Sequence, residues 1–265
     1  MKIELLTLLF ICFFNCSASD YFYFNNIQNS VGLTSLESHY YSQNPAQLVN
    51  ANNSVSFWAK PIASGLPELN IINLGTKLKI DSNFTVALDL NGIVNNLYSE
   101  FSPNLSLSYK YIDKLSAGAN LTYNLMGVKN FKSCSFFSFD IGAIIFLNDY
   151  LSTGFVLRNI NRGSYLGGNS LVNQTVICGF GIKANDDFLI DIDWHIKISQ
   201  YSGLSLAGKY KLYKAFYIRL AYLTNPNSFE TGISIGFTKD FNLNYNFCYD
   251  MNLGSINNVC ITFQW

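Results

Sequence analysis

The sequence predicts an all-β fold: an antiparallel transmembrane β-barrel of about fourteen strands with a short, partly helical N-terminal plug segment. Three observations predict it. Apolar and polar residues alternate at the strand period from residue 53 onward, tight polar turns take turns with other and often longer connections, and the large side chains sit on the face that a lipid would cover.

The alternation is clearest in DFLIDIDWHIKIS. Phe188, Ile190, Ile192, Trp194, Ile196 and Ile198 fall on one face, and Asp187, Asp191, Asp193, His195 and Lys197 on the other. KLSAGANLTYNL sets Leu115, Ala117, Ala119, Leu121, Tyr123 and Leu125 against Ser116, Gly118, Asn120, Thr122 and Asn124. DFNLNYNFCYD repeats the pattern, with Phe241, Leu243, Tyr245, Phe247 and Tyr249 opposed to Asn242, Asn244, Asn246 and Cys248. A soluble sandwich alternates too, but it buries its large face in a partner sheet. Here the second face is small or polar, which suits a wet or plugged lumen.

The connections separate the two cases. Tight polar turns fall at Asp81-Ser82-Asn83, Asp113-Lys114, Asn148-Asp149, Asn185-Asp186, Tyr213-Lys214 and Lys239-Asp240. Between them lie GIVNNLYSEFS, MGVKNFKSC and NINRGSYLGGNS, and later, shorter links such as TNPNS. Short turns on one rim and longer loops on the other is the plan of an outer-membrane barrel, and the breaks delimit about fourteen runs, an even number. Phe84, Tyr111, Phe188, Phe216, Phe237 and Phe241 gather on the apolar face near the short turns, as an interfacial girdle does. The last strand carries Val259, Ile261, Phe263 and Trp265 on that face and ends on Trp265. Phe263 and Trp265 resemble the terminal aromatic signal that barrel-assembly machinery reads.

Composition excludes several functions. The 265 residues include 17 basic and 17 acidic side chains for a formal net charge of +0, which gives no electrostatic case for nucleic acid. Only 13% of residues are charged and 16% are aromatic, unlike the roughly 25% charged of a soluble domain. Residues 1–18 read as an export signal, with Lys2, the apolar run from Leu5 to Phe14 and the small residues Cys16-Ser17-Ala18. Cleavage after Ala18 and lipidation at Cys16 are its two readings. No later run approaches the length of a transmembrane helix. Cys134, Cys178, Cys248 and Cys260 lack the close spacing of a zinc site, so neither metal nor cofactor is expected. Cys248 and Cys260 are equidistant from Gly254 on the inward face, which makes them either a disulfide across the last hairpin or two separate thiols.

Residues 19–52 precede the barrel, which spans 53–265. In YSQNPAQL, Asn44 is an N-cap, Pro45 suits the first helical position and Gln47 stands where a capping-box partner would. A chain entering a barrel from the periplasmic side can fold into the lumen as a plug, or cover the mouth as a cap. The box Asn44-Pro45-Ala46, followed by Leu48, resembles the N-terminal region of the FadL superfamily, which includes long-chain fatty-acid transporters and the PorV/PorQ-type proteins of type IX secretion. The box here has Gln47 where that group usually has glycine, and only Gly32 stands for its glycine- and alanine-rich lead-in. The PorP/SprF group carries a similar box. The resemblance implies a fourteen-stranded barrel whose N-terminal segment enters or closes the lumen, with a hydrophobic ligand or secreted proteins as partners beside the outer-membrane lipid.

Charged inward positions concentrate on Asp191, Asp193, His195, Lys197, Lys209, Lys211 and Arg219. Pairing about SQYSG sets Lys209 opposite Asp193 and Lys211 opposite Asp191. Interleaved signs give either a neutral ion-pair ladder or a polar site for the plug or an anionic head group. His195 faces the lumen rather than lipid, and only His39 accompanies it, so no catalytic role is expected. The function expected is transport of hydrophobic compounds or protein secretion across the outer membrane of a diderm bacterium. A structural or adhesin-like barrel and a general porin are the alternatives.

Overall fold

The computed structural model describes residues 44–50, 52–63, 70–130, 133–165, 170–198, 200–225, 227–251 and 254–265. The expected export signal at 1–18, residues 19–43 of the N-terminal segment at 19–52, and residues 64–69, expected as an outer loop, lie outside the described residues. A short 3₁₀ helix, Pro45–Asn50, precedes β1 (Ser54–Ala63), β2 (Asn70–Lys79), β3 (Phe84–Val94), β4 (Tyr98–Ile112), β5 (Leu115–Val128) and β6 (Cys134–Phe146). β7 (Leu151–Arg158) leads into the two-residue strands β8 (Ser164–Tyr165) and β9 (Ser170–Leu171), which pair with each other alone. Then come β10 (Thr175–Lys183), β11 (Phe188–Lys197), β12 (Tyr201–Tyr213), β13 (Phe216–Thr224), β14 (Asn227–Gly236), β15 (Phe241–Asp250) and β16 (Gly254–Gln264). Without β8 and β9, fourteen strands form one closed antiparallel barrel, each beside its neighbour in sequence and β1 beside β16.

The faces divide as the alternation predicts. Leu206 is 54% exposed on the outside while the adjacent Ser205 is 3% exposed inside. Outer Phe57, Leu74, Phe180 and Leu220 are exposed, whereas Ser56, Asp89, Ser106 and Asp193 are buried. A soluble fold would reverse that assignment.

Four of the six tight turns are closed by a short polar side chain at or just before the residues that mark them in the sequence. Asp81 Oδ1 accepts from the amides of Asn83 (2.6 Å) and Phe84 (2.8 Å), and Asn148 Oδ1 from those of Tyr150 and Leu151 (both 2.8 Å). Asn185 and Thr238 do the same for their turns. Short acidic and amide side chains mimic a backbone turn in this way. At the same rim, Lys110 meets Asp113 at 2.9 Å and Lys183 meets Asp186 at 2.7 Å. Each lysine holds its carboxyl below the usual aspartate range, first by hydrogen bonding and then by charge. Tyr111, Phe237 and Trp265 lie exposed here, and Phe237 packs on Phe241 at 5.8 Å between ring centres.

The opposite rim differs from expectation in one respect. GIVNNLYSEFS is almost all strand, since β3 runs to Val94 and β4 starts at Tyr98. The connection shrinks to Asn95–Leu97, with Asn95 Oδ1 accepting from Leu97 N at 3.0 Å. β4, β5 and β6 hold 15, 14 and 13 residues, more than the ~9–11 that cross a bilayer. Apparent loop length has become hairpin length.

Replacing Leu206 by Arg should cost about 2–4 kcal/mol, the penalty of a charge on the lipid face near mid-membrane. Urea unfolding of the barrel in lipid vesicles would measure it, and a cost near zero would place this face outside hydrocarbon.

Candidate functional site

The lumen holds the N-terminal helix. Asn44 acts as its N-cap: Oδ1 accepts from Ala46 N at 3.1 Å, and its backbone carbonyl accepts from Gln47 N at 3.0 Å. The helix is 3₁₀ throughout, in keeping with its six residues. Asn44, Ala46 and Leu48 are 0% exposed, and Val49 2%. The motif residues Asn44, Pro45, Ala46 and Leu48 therefore sit together inside the barrel, against the inner faces of β3–β6.

Two glycines make that position possible. Gly118 on β5 and Gly142 on β6 are direct partners in the ladder. A β-carbon on Gly118 would lie 2.6 Å from the Pro45 carbonyl oxygen, and one on Gly142 would run into the Asn44 amide. The pair forms a bare patch on which Asn44-Pro45 rests. Ser108 Oγ adds a hydrogen bond to Ala46 O at 3.3 Å, Asn44 Nδ2 donates to Ala143 O at 3.4 Å, and Leu48 packs on Ala87 of β3.

Around the helix, the inner faces of β2–β5 carry an amide and hydroxyl lattice. Asn73 Nδ2 donates to Asn91 Oδ1 at 2.6 Å, Thr122 Oγ1 to Asn104 Oδ1 at 3.0 Å, and Ser102 Oγ to Asn124 Oδ1 at 3.1 Å. Asp89 faces the buried Lys77 electrostatically. Toward the longer-loop rim Trp58, Ile71, Ile93 and Cys260 form an apolar cluster with Tyr98 against it, beside the Glu100 carboxylate, which accepts from Tyr98 Oη at 2.9 Å. The sequence reading missed Trp58 as a lumen residue, although Ser54, Ser56 and Trp58 share one parity.

The charged cluster does not pair as expected. β11 meets β12 in a register that sets Asp193 opposite Ser205, Asp191 opposite Ala207 and Lys197 opposite Tyr201. Lys209 therefore lies opposite Leu189, four residues from the place expected, and the Asp191–Lys211 and Asp193–Lys209 pairs do not form in this ladder. The reason is a tighter connection, in which Gln200 N bonds to Lys197 O at 3.0 Å and β12 begins directly at Tyr201. Two smaller groups replace the ladder. In one, His195 Nε2 and Ser205 Oγ lie 3.1 Å apart and Ser205 Oγ reaches Asp193 Oδ2 at 3.4 Å, with Arg158 in electrostatic reach of His195. Asp193 therefore meets the serine directly, a contact that a hydrolase triad, in which the acid holds the histidine, does not use. In the other, Lys209 Nζ lies 4.7 Å over the Tyr217 ring, and Arg219 bonds Glu230 through both terminal nitrogens (3.3 and 3.5 Å). Glu230, Arg158 and Asp140 escaped the sequence reading, although each stands at an inward parity position of its strand.

The last hairpin corrects a second expectation. Asp250 pairs with Gly254, so the turn centres on residue 252; Cys248 opposes Ile256 and Cys260 opposes Asn244. Both cysteines are buried, inward and free of a disulfide. Gly254 is the left-handed residue at the turn's exit (φ 79°), a conformation that favours glycine, rather than its midpoint. Phe263 and Trp265 project outward and stack at 6.0 Å. Among the described residues no cluster of His, Cys, Asp and Glu fits a metal ion.

Gly118→Val should unseat the helix, because the obstacle is Pro45 backbone and not a movable side chain. A Leu48→Cys probe, shielded in the parent, should then react several-fold faster with a water-soluble maleimide; unchanged labelling would mean the helix does not need the glycine. At the ion pair, Glu230→Ala should destabilise by about 3–5 kcal/mol by removing the carboxylate that Arg219 binds through both terminal nitrogens, while Arg219→Met with Glu230→Leu should stay near the parent. Denaturant unfolding of the three variants tests the asymmetry.

No family model and no curated protein matches the sequence. Solved structures do resemble it. The toluene transporter TodX of Pseudomonas putida aligns with a TM-score of 0.64 at 12% identity, over 84% of this chain and 92% of that one. The toluene transporter TbuX of Ralstonia pickettii gives 0.63 at 10% identity, over 85% and 93%. A FadL homologue of Pseudomonas aeruginosa gives 0.57 at 11%, over 88% and 95%. At these identities the likeness is one of fold, and the fold is that of the FadL-type barrel.

Proposed function

We propose that this chain is a non-catalytic barrel of the outer membrane of a diderm bacterium and passes hydrophobic compounds through a plugged lumen. The observation that carries the reading is the seated helix: Asn44, Ala46 and Leu48 are wholly buried inside a barrel whose outer face is apolar. A general porin keeps an aqueous channel open, whereas here a helix occupies the lumen against β3–β6. The apolar cluster of Trp58, Ile71, Ile93 and Cys260 supports the hydrophobic class, since ligand sites combine such linings with a few polar groups, here the Glu100 carboxylate and the Tyr98 hydroxyl. The similar folds named for toluene transport support it too. Bilayer lipid covers the outer face in this reading, and barrel-assembly machinery recognises Phe263 and Trp265. A secretion role of the PorV/PorQ type draws on the Asn-Pro-Ala box, and with short connections at Asn95–Leu97 and between Thr224 and Asn227 an adhesin-like barrel would rely chiefly on the connection between Arg158 and Thr175.

The test is reconstitution of the full chain into planar bilayers and vesicles, using toluene and a long-chain fatty acid as probes. Low ion conductance with uptake of an apolar probe is expected, and deletion of residues 44–48 should raise the conductance. Porin-sized conductance in the parent, or no uptake of either probe, would overturn the reading. Co-purification of exported proteins without any apolar molecule would favour secretion instead.

A further inference from the structure

We propose that the outer half of the membrane face carries a groove that holds one acyl chain of a resident outer-leaflet lipid. The inference rests on the membrane placement proposed above and is independent of transport.

The groove crosses β1–β5 on the outside of the wall and encloses about 540 Å³, within the range of ligand sites. Ladder registers explain it. One outward row runs Ile72, Gly92, Phe101, Leu125 across β2, β3, β4 and β5, each in register with the next. Ile72 and Phe101 stand 48% and 46% exposed, and Gly92 between them has no side chain, so a gap one strand wide opens in a wall otherwise covered by large residues. The adjacent outward row places Ser99 beside Gly127, which widens the gap toward the longer-loop rim. Phe57 and Leu74 close it on the β1–β2 side. The outcome is a slot bounded by large apolar side chains, with the inward-position residues Asn73, Ile93 and Glu100 of the same strands along its floor.

Its occupant follows from its setting. The slot is continuous with the exposed apolar band that outer Leu88, Leu105 and Leu121 extend toward the short-turn rim. Hydrocarbon is the medium along that band, and backbone exposed to it gains contact only if a chain settles into the gap. Short turns face the periplasm in such barrels, which puts the slot in the outer leaflet. A flexible linear chain suits a slot that crosses several strands.

The slot can be filled without disturbing the fold. A β-carbon on Gly92 would meet Ile72 Cγ1 at an ordinary 3.6 Å, and one on Gly127 would meet only the movable Ser99 hydroxyl at 3.0 Å. Gly208 on β12 is a matched control: it pairs with outward Leu220, a β-carbon there meets only Phe188 at 3.5 Å, and it lies outside the slot.

The experiment is native mass spectrometry of the full chain, released from its own outer membrane into mild detergent and washed by detergent exchange. The parent should keep one lipid equivalent. G92L and G127L should lose it by roughly tenfold, the value of about two displaced methylenes, while G208L keeps it. Equal retention in G92L, equal loss in G208L, or no retained lipid in the parent would each overturn the slot while leaving the barrel in the membrane. Recovery of the parent in the soluble fraction would instead remove the membrane placement and the inference with it.

Discussion

Hydrocarbon offers a backbone amide no partner, so a sheet in a bilayer must close on itself. Everything else in this chain follows from that closure. The seam joins β1 to β16 with Ser54 opposite Gln264, and Asn53 ties its lower end to both neighbours: its carbonyl accepts from Trp265 N at 3.1 Å and its side chain from Lys79 N at 2.7 Å. Higher up, the register shifts between Ala59 and Ile62. Pro61 lies in that interval and has no amide to donate, so a bulge there loses less than a regular ladder position would. Closure fixes two faces for each barrel strand, and the lipid side takes the large residues.

The inner face then has a space problem, which glycine solves repeatedly. Asp193 leans across onto Gly179 of β10, and Asn246 onto Gly232 of β14; in each case a β-carbon would collide with the neighbour's polar atoms. Gly118 and Gly142 apply the same arrangement to a backbone segment, with Asn44 and Pro45 in place of a side chain. Polar groups in the lumen thereby reach one another across strands without widening the barrel. The outward Gly92 is the contrary case, since among the described residues a β-carbon there would meet only Ile72 Cγ1, at an ordinary 3.6 Å.

Period-two patterning made the strands, their faces and the short turns legible, because each depends on residues adjacent in sequence. Asp81, Asn148 and Asn185 announce their turns by chemistry that acts within three residues. Registers were less legible. A hairpin centre misplaced by two residues moves every cross-strand partner by four, and this separated Lys209 from Asp193 and Cys248 from Cys260. Glycine at a turn's exit looks in sequence like glycine at its centre, as Gly254 shows. The box at Asn44–Ala46 could be read as a helix start from local rules, but its resting place on β5 and β6 is fixed by contacts some 70 to 100 residues away in sequence.

The resting place also sets how firmly the helix is held. Inside, Gly118 faces Gly142; outside, Ala117 faces Ala143, so the wall is thin on both sides at this level. Glycine within a strand weakens it by about 0.5–1 kcal/mol relative to alanine, and the helix restores packing where the strands supply none. Two of its polar ties to the wall, at 3.3 and 3.4 Å, join neutral groups, each worth about 1 kcal/mol or less. No charge among Asn44–Asn50 anchors it. Shape and weak bonds between neutral groups therefore hold the helix, with no charge of its own in the contact. A helix held in this way can leave for the cost of its packing while the closed ladder around it, which owes nothing to the helix for its hydrogen bonds, stays intact.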